Sequence, residues 1–96
     1  MGSGGSMKRI QIYFSGRVQG VGFRYTVCHI AGSFEVVGFV QNLPTGDVLV
    51  VAEGEEQELV DFLNGIRSSQ LGRYIIREQL HWTRATGKYD RFGVLY

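Results

Sequence analysis

The sequence predicts an α+β domain of the split β-α-β kind, one sheet with two helices on a single face. Three observations predict it. The runs 8–14, 35–42 and 47–53 have the alternation or the β-branched, aromatic content of strands. The runs 23–34 and 55–67 carry apolar residues at helical spacing. The order along the chain is strand, helix, strand, strand, helix, strand, with a further short strand at the end.

In the first strand, Ile10, Ile12 and Phe14 alternate with Arg9, Gln11 and Tyr13, which puts one face on a core. A glycine-rich loop follows, S-G-R-V-Q-G-V-G-F-R-Y-T from Ser15 to Thr26. After it Phe23, Val27, Ile30, Ala31 and Phe34 fall on one stripe at about 100° per residue, so a helix opens directly behind the loop. Gly32 weakens the end of that helix. The runs Glu35–Asn42 and Asp47–Glu53, joined by L-P-T-G, read as a hairpin. The second of them is apolar on both faces and suits an interior strand. The segment Glu55–Arg67 opens with carboxylates, which complement a helix dipole, and places Leu59, Phe62, Leu63 and Ile66 on one face. In R-Y-I-I-R-E-Q-L-H-W-T, Arg73–Thr83, residues Tyr74, Ile76, Leu80 and Trp82 share one parity, with Glu78 as the exception, and a strand is expected. R-F-G-V-L-Y, Arg91–Tyr96, is expected to be a short last strand.

A chain of 96 residues with 44% hydrophobic residues suits one domain, assigned to residues 7–96. Residues 1–6, M-G-S-G-G-S, read as a cloning leader, expected to be disordered. No apolar run is long enough for a bilayer and no secretory pattern stands at the start, so the cytoplasm is the expected location. A net charge of +1 gives little attraction for a long polyanion, and nucleic acid is not expected as a partner. Cys28 is the only cysteine, and His29 and His81 stand in no metal-ligand pattern, so neither a disulfide nor a metal or cofactor site is expected. Cys28 reads as a small core residue and His29 as solvated, while His81 has no assignable role. Tyr13, Tyr25 and Trp82 read as packing rather than a stacking platform.

The loop is where chemistry concentrates. Unpaired N–H groups at a helix N-terminus, together with the helix dipole, favour a bound anion, and glycines let a loop curl so that several N–H groups converge. Arg24, in the first helical turn, presents a planar fork matched to two phosphate oxygens. The spacing G-x-x-x-G-x-G of Gly16, Gly20 and Gly22 is neither the Walker pattern nor the dinucleotide fingerprint. By spacing alone, an ordinary tight connection with a solvated Arg24 stays open. A right-handed crossover brings the C-terminal ends of the first two strands to one edge of the sheet, so the loop and Asn42 share that edge.

The strings G-R-V-Q-G-V-G-F-R-Y, Gly16–Tyr25, and G-F-V-Q-N-L-P-T-G-D-V-L-V-V-A-E-G, Gly38–Gly54, closely resemble the two signature segments of the acylphosphatases. The resemblance covers nearly all of the chain after the leader. It implies the ferredoxin-like fold, an antiparallel sheet of order 4-1-3-2, and metal-independent hydrolysis of acyl phosphates by a monomer, with inorganic phosphate as product and no cofactor. Carried over residue by residue, it implies that Arg24 binds the phosphate. The cradle is implied at Gly16, Arg17, Val18, Gln19, Gly20, Val21, Gly22 and Phe23, and Asn42 positions the attacking water. It also implies that the substrate phosphate itself takes the water's proton. After the second helix the chain departs from the family's frequent Gly-Pro and reads S-S-Q-L-G-R-Y. The alternative reading is a non-catalytic ferredoxin-like module that binds small anions or RNA. I-Y-F-S-G-R-V has a weak likeness to one RNA-recognition strand, but V-G-F-V-Q-N-L lacks the basic and aromatic pattern of the other.

Overall fold

A computed structural model describes residues 7–96, and the leader expected at residues 1–6 lies outside the described residues. The elements are β1 (Met7–Gly16), α1 (Phe23–Ala31), β2 (Val37–Asn42), β3 (Val48–Glu55), α2 (Glu56–Ser68), a 3-10 turn (Gln70–Tyr74), β4 (Ile75–Arg84) and β5 (Phe92–Leu95). The sheet order is β4-β1-β3-β2-β5. The first four strands follow the expected 4-1-3-2 order, and β3 is interior, as its two apolar faces require. The fifth strand extends the sheet beyond β2 and runs parallel to it, so the sheet is mixed at that edge rather than wholly antiparallel.

Alternation in β1 buries Ile10, Ile12 and Phe14 completely on one face. Both helices cover that face: Phe23, Val27 and Ala31 from α1 and Leu59, Phe62, Leu63 and Ile66 from α2 join the same core. The Phe14 and Phe23 rings lie 5.4 Å apart and those of Phe62 and Phe92 5.5 Å apart, separations at which each pair adds about 0.5–1.5 kcal/mol beyond area burial. Helix α1 ends at Ala31, earlier than Phe34 suggests, because Gly32 and Ser33 are poor helix formers. Phe34 still reaches the core from the following turn, its ring 6.3 Å from that of Phe62.

The expected parity of β4 holds for Leu80 and fails at Ile76. Ser15 pairs with Arg77 but Gly16 pairs with Ile75, so Ile76 is an extra residue on the β4 side. Ile75 therefore turns to the core and Ile76 is 78% exposed. Gly16 makes this kink possible: its φ is 131°, and a Cβ there would collide with the Tyr74 carbonyl oxygen. Tyr74 belongs to the 3-10 turn, where Ser69 Oγ caps Leu71 N at 3.1 Å and the Leu71 side chain is fully buried.

Because β4 and β5 are opposite edges, residues 85–91 must cross the sheet, and they do so on the face opposite the helices. Glu53, 2% exposed, anchors the crossing. Its carboxylate accepts bonds from Thr86 N (3.0 Å), Thr86 Oγ1 (2.8 Å), Gly87 N (3.0 Å) and Arg9 Nη1 (3.2 Å). Tyr89 lies against Phe39, ring centroids 5.9 Å apart, and against the Arg9 guanidinium.

Candidate active site

Strand register brings the two signature segments together. Phe14 and Asn42 both pair with Val48, from opposite sides of β3. Asn42 thus stands two strand spacings, roughly 9.5 Å, from the end of β1 where the glycine loop begins. The loop is pinned at its start by Arg17 N donating to Tyr74 O at 3.0 Å and in its middle by the fully buried Val18 side chain. It then turns through Gly20 (φ 80°) and Gly22 (φ 76°), and Gly22 is the N-cap of α1. Neither glycine has a neighbour that a Cβ would strike, so it is the left-handed backbone, rather than space, that favours glycine there.

The N-terminus of α1 has no side-chain cap and no acidic residue in its first turn. The first helical bond is Thr26 N to Gly22 O, 3.1 Å, so the amides of Phe23, Arg24 and Tyr25 have no intrahelical acceptor. A cavity of about 110 Å³ opens in front of them, lined by Val18, Gly20, Gly22, Phe23, Arg24, Tyr25 and Asn42. At roughly 30 Å³ per water, that volume accommodates a tetrahedral oxyanion and a neighbouring water. Arg24 sets its guanidinium over the Tyr96 ring, Cζ 5.2 Å from the centroid, a cation–π contact that draws on the ring face rather than on the guanidinium's hydrogen-bond donors. The Tyr25 and Tyr96 hydroxyls are 3.1 Å apart, and this hydrogen bond raises the Tyr96 phenol above its ordinary pKa. Asn42 Oδ1 is buried and has no hydrogen-bond partner among the described residues.

Of the residues named from sequence, Val18, Gly20, Gly22, Phe23, Arg24 and Asn42 line the cavity, and Gly16, Arg17, Gln19 and Val21 do not. Gly16 packs against β4, and the Arg17 amide is bonded to Tyr74 O and is not free for an anion. Val21 packs against the core. The Gln19 side chain turns to the β2–β3 hairpin, where Nε2 donates to Leu43 O (2.8 Å) and Asp47 O (2.9 Å). Tyr25 is 63% exposed at the cavity mouth rather than packed, and Tyr96 joins it. The adjacency of Tyr25 to Arg24 in the first helical turn is a sequence signal for it, whereas nothing in the sequence places Tyr96 here.

Elsewhere, Cys28 is half-buried and burial raises its thiol pKa, while His29 is exposed. His81 is exposed on β4, its ring edge-on to Tyr13 at 6.5 Å. No three His, Cys, Asp or Glu side chains converge as a metal site among the described residues, and no helix among them is long and apolar enough to cross a membrane.

Both the sequence and the fold have known relatives. The acylphosphatase family model matches residues 10–94. An acylphosphatase of Lactobacillus gasseri is 37% identical over 91 residues, covering 94% of this chain and all of the relative. The crystal structure of the Bacillus subtilis acylphosphatase superposes with a TM-score of 0.85 at 31% identity, over 93% of this chain and 99% of that one. Full-length HypF, solved in a phosphate- and nucleotide-bound form, matches all of this chain with 13% of its own length, at a TM-score of 0.87 and 29% identity. A family match over nearly the whole described chain, with relatives of the same length and fold, means that this chain belongs to the acylphosphatase family, enzymes that hydrolyse acyl phosphates to a carboxylate and phosphate.

Proposed function

We propose that the domain of residues 7–96 hydrolyses small acyl phosphates without a metal. The substrate phosphate sits in the cavity before α1, on the backbone amides that line it at Val18, Gly20, Gly22 and Phe23 and on the Arg24 fork, and Asn42 orients the water. The observation that carries this reading is the convergence of Asn42, Arg24 and an uncapped helix N-terminus on one cavity, with Asn42 Oδ1 left without a protein partner among the described residues. A water held by the Asn42 side-chain amide turns a lone pair toward the phosphorus.

An acyl phosphate is a mixed anhydride whose leaving group is a carboxylate, stable as an anion at neutral pH. It departs without protonation and without Lewis-acid help. The water oxygen bonds to phosphorus, the bond from phosphorus to the acyl oxygen breaks with its electron pair going to the carboxylate, and a phosphoryl oxygen of the substrate takes the water's proton. The protein's part is to balance charge on the equatorial oxygens with amides and guanidinium and to hold the water in line. No acidic or imidazole group is among the residues that line the cavity. The same reading has the chain acting as a monomer in the cytoplasm, without nucleic acid, which the near-neutral charge supports.

Turnover of benzoyl phosphate, with and without EDTA, tests it in the native protein and in Asn42→Ala. EDTA is expected to change nothing, and Asn42→Ala to lower kcat by about 100-fold or more, with inhibition by inorganic phosphate held within about threefold. Phosphate inhibition weakening in step with kcat would remove the water from Asn42 and make it a phosphate ligand instead.

A further inference from the structure

Gln19 sits in the glycine loop between the cavity-lining residues Val18 and Gly20, yet it does not line the cavity and its side chain ends on the hairpin that carries Asn42. One nitrogen, Nε2, gives its two hydrogens to two carbonyl oxygens, Leu43 O at 2.8 Å and Asp47 O at 2.9 Å. Both acceptors are already engaged inside the hairpin: Leu43 O accepts from Gly46 N at 3.0 Å and Asp47 O from Leu43 N at 2.9 Å. A carbonyl oxygen has two acceptor sites, so the Gln19 amide completes both. Leu43 directly follows Asn42, and Asp47 directly precedes Val48, the residue paired with Asn42 across the strands.

We infer that Gln19 is a positioning residue for the reaction, the tie that sets the separation between the phosphate cradle and the Asn42 amide. The inference rests on the roles proposed above for the cradle and for Asn42. Cradle and amide belong to different strands, with β3 between them, and each has anchors of its own: the loop in the buried Val18 and the Arg17–Tyr74 bond, the hairpin in the bonds of its turn. What in-line attack requires is their mutual placement, because the water must stand opposite the departing acyl oxygen at close range. The residue type fits this task. Glutamate would set lone pairs against two carbonyls, asparagine is one methylene shorter, and methionine has the length without the donors.

The test uses benzoyl phosphate turnover and inorganic phosphate inhibition for the native protein, Gln19→Met, Gln19→Glu and Asn42→Ala. In Gln19→Met, kcat is expected to fall about 10-fold while the phosphate inhibition constant stays within about threefold and the thermal midpoint within a few degrees, since the side chain is exposed and only mutual placement is lost. In Gln19→Glu the loss at neutral pH is expected to shrink, relative to the native profile, as the new carboxyl protonates near pH ~4.3 and its O–H restores one of the two donors. A kcat for Gln19→Met within about twofold of native overturns the tie, as does a phosphate constant that rises in step with the loss of kcat. A Gln19→Glu profile parallel to the native one overturns it too. The Asn42→Ala control separates two failures. Native-like turnover there removes the role of Asn42 on which the tie depends, whereas the expected loss there beside a native-like Gln19→Met removes the tie alone.

Discussion

Replacing Glu53 by glutamine tests whether the crossing of residues 85–91 is held by one buried carboxylate. Glu53 Oε1 accepts from Thr86 N and Gly87 N, both at 3.0 Å, and Oε2 from Thr86 Oγ1 at 2.8 Å and Arg9 Nη1 at 3.2 Å. In Glu53→Gln the amide oxygen can keep the two backbone donors, and the Thr86 hydroxyl can rotate to accept from the new NH2 group. Arg9 cannot accept, so one charge-assisted bond is lost, worth roughly 1.5–3 kcal/mol, and the others lose their charge assistance. Arg9 is 20% exposed and regains some hydration, which brings the expected cost to about 2 kcal/mol. For a domain of this size that is a drop in Tm of about 8–16 °C. Glu53→Ala, which leaves the Thr86 and Gly87 N–H groups and the Arg9 guanidinium without their carboxylate, is expected to cost more, about 3 kcal/mol. Burial alone pushes the Glu53 carboxyl pKa up, but the bonds from Thr86, Gly87 and Arg9 outweigh it and the pKa lies below its ordinary value. A depressed folded pKa means that the stabilisation is complete above the unfolded value, about 4.5, and is lost as pH falls through the folded one. The gap between native and Glu53→Gln should therefore be widest near neutrality and close below about pH 4.5. Urea unfolding at pH 7 and at two acidic values measures this. A Glu53→Gln protein within about 0.5 kcal/mol of native at pH 7, or a gap that widens on acidification, would refute the assignment.

Arg24→Lys is expected to lower kcat/KM for benzoyl phosphate by roughly 100-fold, because lysine keeps the charge but lacks the planar fork and its paired donors. Activity within about threefold of native would show that charge alone suffices. Gly22→Ala is expected to cost about 1–2 kcal/mol in urea unfolding, because φ is 76° at the N-cap with no atom nearby for a Cβ to strike. No measurable loss would mean that this cap tolerates another backbone conformation.

Strand β1, the hairpin and α2 were legible because their periodicities are local: the face of Ile10, Ile12 and Phe14 needs no partner to be read. The face of β4 is legible at Leu80 but not at Ile76, since it turns over at a bulge where Gly16 meets the Tyr74 carbonyl, a contact between residues far apart in the chain. Glu53 stood in the sequence as a lone charge closing the apolar run V-L-V-V-A-E. Its partners Thr86 and Gly87 lie more than thirty residues on, in a segment with no periodicity of its own, so the last strand is legible in Arg91–Tyr96 but neither the crossing that leads to it nor its parallel pairing with β2 is.

The candidate site divides in the same way. Arg24 and the loop amides follow from a helix opening behind glycines, and the place of Asn42 from the handedness of one crossover, both rules that act within a single supersecondary unit. In sequence Gln19 counts only for its backbone, as one more amide of the loop, because a loop residue shows nothing of where its side chain will end. The structure ends it on the neighbouring hairpin. Parts assembled by local rules arrive at a shared edge with their separation set only by β3 between them. A reaction whose water must be in line needs that separation held more finely than a strand spacing holds it. A side chain that bonds across the gap is how such a site gains that precision, and it is the component that periodicity and motif spacing leave unread.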